Sequence, residues 1–200
     1  MAISAAQVKA LRDKTGAGFM ECKAALTESD GDIDRAITVL RTRGQAKAEK
    51  RAGRTTQQGL IGHYIHQGGQ VGVLVEVNCE SDFVARTDDF QTLVREIAMH
   101  VAAADPQFVS RNDAPAEAVE RERAIFRAQA EESNKPAPVI ERIVDGKLNS
   151  WFSQVALLDQ PSVREPKTTI GDLVKHAIAK LGENITVARF SRFKVGERPN

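Results

Sequence analysis

Residues 60–78 constrain the fold more tightly than any other stretch of the chain. Two β-prone runs, 60–66 and 71–78, are joined across Gly68-Gly69, a strong hairpin signal. In the second run Val71, Val73, Val75 and Val77 alternate with Gly72, Leu74 and Glu76, which makes one face clearly apolar. A further strand is expected over 185–195, its alternation slipping around Arg189 to Ser191 in the manner of a bulge. The helical signals do not alternate with strands as βαβ units. The expected class is therefore α+β, a small antiparallel sheet packed by helices.

Ahead of the hairpin, the first fifty residues read as three short helices. Val8 and Leu11 mark the apolar side of the first, and Thr15-Gly16-Ala17-Gly18 breaks it. Met20, Ala24 and Leu26 carry the second, closed by Ser29-Asp30-Gly31. Ile33, Ile37 and Leu40 mark the third, with Gly44 as its stop and Arg41 and Arg43 in its last turn. A three-helix unit of this size has a small core and suits a docking module. The organisation expected is a module with a basic connector over 1–55 and an α+β core over 56–200. Residues 41–58 hold six basic side chains against Glu49 alone. With no aromatics interleaved for stacking, they read as a solvated linker or helix extension rather than an RNA contact.

Beyond the hairpin, Phe90, Leu93, Val94, Ile97 and Val101 share one helical face, and Ala98, Met99, Ala102 and Ala103 make the opposite face apolar and mostly small. Such a helix is either sandwiched in its domain or pressed against a partner. A charged helix over 116–133 (Val119, Phe126 and Ala130 inward) is expected to end at Asn134-Lys135-Pro136. Ile140, Ile143, Val144 and Leu148 mark the next. A last helix carries Ile170 to Leu181, capped by Thr168 or Thr169 and stopped by Gly182.

Composition excludes several functions. Lys plus Arg number 28 against 27 for Asp plus Glu, a balance that argues against a general nucleic-acid or anionic-membrane binder. No apolar run approaches transmembrane length, and Cys22 and Cys79 have no metal-ligand spacing. A soluble cytoplasmic protein is expected. No P-loop, no Gly-x-Ser-x-Gly elbow and no zinc spacing occurs, and the four histidines are scattered. His100 reads as a partly buried packing or hydrogen-bonding residue, and His176 as solvated. Nothing assembles a nucleophile, a base and an orienting group, so neither an enzyme nor a cofactor is expected.

Two places invite a functional reading. Where the second hairpin strand ends, Asp82 and Phe83 stand side by side, and adjacent side chains cannot both join one core face. The pair reads either as a probe aimed at another molecule or as a helix cap followed by a core aromatic. Gly16-Ala17-Gly18-Phe19 reads as an interhelical turn, as a contact, or as both; Lys23 reads as a surface lysine or a docking charge.

The run Leu11-Arg12-Asp13-Lys14-Thr15-Gly16-Ala17-Gly18-Phe19-Met20-Glu21-Cys22-Lys23-Ala24-Ala25-Leu26, with Gly31-Asp32-Ile33, resembles the N-terminal signature of the elongation factor Ts family. Asn78-Cys79-Glu80-Ser81-Asp82-Phe83-Val84-Ala85-Arg86 resembles its second signature, and Ile97-Ala98-Met99-His100-Val101-Ala102-Ala103 a third block. The 161–166 loop and the 193–197 ending also fit, all in family order. The resemblance implies a guanine nucleotide exchange factor for elongation factor Tu, in its GDP-bound or nucleotide-free state. It implies that the first three helices form a ubiquitin-associated-like module docking through Leu11, Arg12, Gly16, Ala17, Gly18, Phe19, Met20 and Lys23. It implies that Ser81, Asp82, Phe83 and Val84 form the segment that dislodges the partner's Mg²⁺. Ser81 stands where many members have Thr, and Phe19 where Met is frequent. The short distance between the second and third blocks resembles the family's short form, which raises the expectation of a homodimer. Met99, His100, Ala102 and Ala103 are then candidates for a second interface. An adaptor reading would explain only the first fifty residues, and an RNA-binding translation protein would rest only on 41–58.

Overall fold

The structure is a computed structural model and describes residues 3–133 and 135–197. Asn134, expected in the stop after the charged helix, lies outside the described residues. In chain order the elements are α1 (Ala5–Thr15), α2 (Phe19–Glu28), α3 (Ile33–Arg51), β1 (Gln58–Ile65), β2 (Val71–Cys79), α4 (Asp82–Ala85), α5 (Asp88–Ala104), α6 (Ala116–Glu131), α7 (Ala137–Val155), α8 (Ile170–Leu181) and β3 (Ile185–Lys194). The strands form one antiparallel sheet in the order β1-β2-β3, so the class is α+β.

The chain divides into two compact units, each assembled from separate stretches. The first comprises residues up to Leu60, Asn78–Leu93 and Val174–Thr186. Its three opening helices enclose a small core of Val8, Leu11, Cys22, Ala25, Leu26 and Ala36. Local chemistry starts the helices. Ser4 and Gln7 form a reciprocal capping box on α1, and the Asp32 carboxylate accepts from Arg35 N at 2.9 Å to cap α3.

Two expectations for these helices need correction. Cys22, Ala25 and Leu26 turn inward on α2, whereas Met20 and Ala24 face solvent. The inward stripe at 22, 25 and 26 keeps helical spacing; Met20 and Ala24 fall on the opposite side of the helix. Gly44 does not stop α3, which runs on to Arg51. Gly44 is buried, and a Cβ there would lie 3.3 Å from the Ala179 Cβ on α8. The glycine is spent on close helix approach rather than termination. The basic stretch after it is largely helix extension, with Arg43 paired to Glu28 and Lys47 to Glu21.

The second unit comprises Ile61–Val77, Val94–Leu173 and the chain from Val187 onward. Val73, Val75 and Val77 are buried as their alternation requires. Gly62 on β1 admits Val94, since a Cβ at 62 would come within 2.3 Å of Val94 Cγ1. That contact is incompatible with any side chain larger than hydrogen. Val94, Ile97 and Val101 are buried, and so are Ala98 and Ala102 on the small side, so this part of α5 is sandwiched. Helices α6 and α7 form a hairpin with its own core of Ala130, Val144 and Leu148. Across its surface Arg123 pairs with Asp145 and Arg127 with Glu141. Thr169 caps α8, its hydroxyl accepting from Asp172 N at 3.1 Å. The alternation of β3 slips at Ala188-Arg189, two exposed residues in succession, slightly before the expected position.

Candidate functional site

The corner after β2 is built by Ser81. Its backbone is extended, and its hydroxyl accepts from Val84 N at 3.4 Å, capping the single-turn helix α4. Val84 and Ala85 point inward and anchor the turn. Phe83 is thereby turned out and is 81% exposed, the most exposed of the large hydrophobic side chains described. Asp82 is partly exposed and pairs with Arg86 at 2.9 Å. Of the four residues expected to reach a partner, Asp82 and Phe83 therefore face outward, Ser81 is half-buried, and Val84 is an anchor. Val84 is corrected on that account: the apolar side of a one-turn helix must bury something, and Phe83 cannot be both probe and anchor.

Sequence reasoning missed what holds this corner. One carboxylate oxygen of Glu183 accepts from the backbone N–H groups of Glu80 (3.1 Å) and Ser81 (2.9 Å), and the other accepts from the Ser81 hydroxyl (2.6 Å). In return Glu80 accepts from Asn184 N at 2.6 Å. Cys79 lies beneath, its thiol donating to Ser81 O at 3.1 Å, and desolvation by burial pushes that thiol's pKa up. The only sequence signal was a carboxylate and an amide just after the stop glycine of α8. Nothing local could name their partners, more than a hundred positions away.

The loop at 16–20 lies in the same compact unit as the corner. Gly16 caps α1 in the left-handed conformation and donates to Arg12 O at 2.7 Å. The Thr15 hydroxyl donates to Leu11 O, and Gly18 N donates to Glu21 at 3.3 Å. The Lys47 ammonium bonded to Glu21 holds that carboxyl below its ordinary range. Phe19 and Met20 emerge 47% and 71% exposed, beside exposed Arg12, Gly16, Gly18 and Lys23. Ala17 is partly buried, packed against the module core. Leu11 is corrected: it is fully buried in that core, because an apolar side chain at 11 shares the inward face with Val8.

The set at 99–103 does not form a surface. His100 is 1% exposed; its Nε2 meets Gln160 Oε1 at 2.9 Å, and its Nδ1 accepts from Val163 N at 3.3 Å. Those two partners leave a neutral ring, and burial lowers its pKa. Ala102 is buried, Met99 partly so, and Ala103 alone is open. Among the described residues no group of three or more His, Cys, Asp or Glu is placed to hold a metal ion.

A sequence profile described as elongation factor TS matches residues 4–197. The chain belongs to the elongation factor Ts family. It is similar to the elongation factor Ts of Solibacter usitatus, 56% identical over 195 residues that cover 98% of this chain and 92% of the relative. The elongation factor Ts of Coprothermobacter proteolyticus is 56% identical over 197 residues, 98% of this chain and 100% of the relative. That of Caldanaerobacter subterraneus is 54% identical, covering 98% of both chains. The resemblance read from the sequence blocks thus extends across nearly the whole length of an elongation factor Ts.

Proposed function

We propose that this protein is a guanine nucleotide exchange factor for elongation factor Tu, acting in the cytoplasm without chemistry of its own. The module of α1–α3 docks on the GTPase through Phe19, Met20 and their neighbours. The Asp82-Phe83 corner then intrudes beside the partner's Mg²⁺ site and weakens GDP binding. The observation that carries this reading is Phe83, an almost fully exposed aromatic on a corner fastened by several hydrogen bonds. An aromatic kept in water on a rigid support gains its apolar contact only from a partner.

The energetics require both parts. Exchange is reciprocal coupling: whatever factor weakens GDP also weakens the complex when GDP binds. A ~10⁴-fold effect requires about 5.5 kcal/mol of differential binding. Burying one Phe side chain contributes roughly 1.5–3 kcal/mol, so Phe83 cannot act alone. A docking surface on the order of 1,600 Å² supplies the rest. Mg²⁺ bridges phosphates to the GTPase, so its pocket is a sensitive point of attack. The test is release of labelled GDP from elongation factor Tu with and without this protein. No acceleration would sink the reading.

A homodimer is proposed on one surface. Ile61, Ile65, Leu74 and Phe193 are exposed. A Cβ at Gly72 would lie 3.0 Å from Ile65 Cδ1, and Arg189 pairs with Glu76 at 2.7 Å. These contacts put the four apolar residues on one outward sheet face. A second copy meets such a face by twofold symmetry, apolar against apolar. Light scattering at the mass of one chain across the working concentrations rules it out.

A further inference from the structure

The latch on the corner goes beyond what exchange by Phe83 requires, and it has a direction. Glu183 as a carboxylate only accepts, so at 2.6 Å the Ser81 hydroxyl must donate its single proton to it. The lone pairs of that hydroxyl are then turned to the N-terminus of α4, where they accept from Val84 N. One distant side chain thereby fixes both the backbone entering the corner and the rotor that caps it. The return contacts continue the latch. Asn184, 2% exposed, donates from its backbone to Glu80 and from its side chain to the carbonyls of Arg54 (2.8 Å) and Ala52 (3.4 Å). Arg54 pairs with Glu80 at 3.6 Å.

The element that delivers Glu183 also reaches the docking loop. At the end of α8, Ala179 packs at Gly44 of α3, and the Lys180 methylenes lie about where a Cβ on Gly16 would touch them, at 3.4–3.5 Å. The Lys180 ammonium pairs with Asp89 at 2.7 Å, just past the corner. Residues 179–184 therefore contact α3, the loop, the corner and the connector in turn, all inside one compact unit.

We infer that Glu183 is a positioning residue for nucleotide exchange, and that residues 179–184 brace the Phe83 corner at a fixed distance from the docking loop. This role for Glu183 rests on the exchange reading above. Glu183 touches no partner; it acts through Phe83. A brace of this kind holds the aromatic at the partner's site instead of letting it pivot, so its removal lowers the effect of bound factor rather than the amount bound.

The experiment compares the parental chain with Glu183→Ala, Glu183→Gln, Ser81→Ala, Phe83→Ala and the Phe83→Ala/Glu183→Ala pair. GDP release from elongation factor Tu is followed across a titration of each. Glu183→Ala is expected to lower the maximal release rate about tenfold while the concentration for half-maximal stimulation stays within about twofold. Glu183→Gln keeps a carbonyl acceptor for the two backbone N–H groups and is expected to retain most of the rate. The double variant is expected to be no slower than Phe83→Ala alone, because the brace has nothing left to aim. Full release by Glu183→Ala, or decreases that multiply in the double variant, would overturn the inference. Should Glu183→Ala fail to fold by circular dichroism, Ser81→Ala, which removes the hydroxyl between Glu183 and α4, carries the same comparison, and a parental maximal rate from it would overturn the inference. A second readout separates the brace from the exchange reading. Amide hydrogen exchange at Glu80, Ser81 and Val84 is expected to accelerate in Glu183→Ala (at Val84 in Ser81→Ala, should that variant not fold) while the α1–α3 amides keep their protection. If the parental chain fails to release GDP, the exchange reading falls; unchanged protection at those amides overturns the brace whatever the GDP result.

Discussion

The loop at 16–20 and the corner at 80–84 both hold apolar side chains in water, but they are held by opposite means. The hydrogen bonds that shape the loop join residues within seven positions: Gly16 to Arg12, Thr15 to Leu11, Gly18 to Glu21, Thr15 to Cys22. The corner has local bonds as well, from Val84 and Cys79 to Ser81, but the bonds that fasten it to the rest of the chain join residues 102 to 104 positions apart. Local closure costs little chain entropy and depends on few other elements. A latch across half the chain exists only once the fold has formed. The loop therefore suits docking, which tolerates some slack. The corner suits a step in which aim decides the outcome.

The sharpest way to break this comparison is Phe83→Ala. It is expected to slow maximal GDP release about ten- to a hundredfold, the rate equivalent of burying the ring against the partner, with folding and most of the docking intact. Stopped-flow release at saturating factor measures it. An unchanged rate would make the corner merely structural.

Next in size is Gly44→Leu. Its side chain meets Ala179 on a buried face, so it is expected to destabilise the protein by about 1–3 kcal/mol in urea unfolding. Because Ala179 belongs to the brace, release should fall more than docking does.

Met20→Ala tests the other side of the comparison. It is expected to weaken complex formation about five- to thirtyfold by titration calorimetry, with the maximal release rate kept. A drop in rate at unchanged affinity would reverse the assigned roles.

The smallest effect, and the control for both, is acid. His100 is buried neutral and its pKa lies below the ordinary 6.5. The unfolded chain binds the proton more readily, so the stability His100 contributes is full above 6.5 and is lost as pH falls through the lowered value. Thermal melts between pH 7.5 and 5 are expected to show a decline that His100→Gln reduces. Neither the loop nor the corner contains this group, so the balance of docking and release should not follow it.

Much of the fold was legible because its signals are local. The hairpin followed from alternation and Gly68-Gly69, α1 and α3 from apolar spacing, and α5 from its apolar faces. Gly44 misled because a glycine reads as a stop unless the helix it lies against is known, and Ala179 is 135 positions away. Leu11, Val84, His100 and Ala102 belong to sequence blocks that carry the family resemblance, but such blocks mix residues that face a partner with residues that hold those in place. Burial separates the two.

The sequence by itself determined the class of fold and the family, because each rests on contiguous patterns, and it placed an aromatic at the corner while leaving open whether that ring faces outward or joins a core. Only the tertiary structure decided that Phe83 is fastened and by what. Glu183 and Asn184 are ordinary polar residues after a helix stop until folding carries them to Glu80 and Ser81, where their side chains and backbone close the end of a strand that no neighbour in sequence could close.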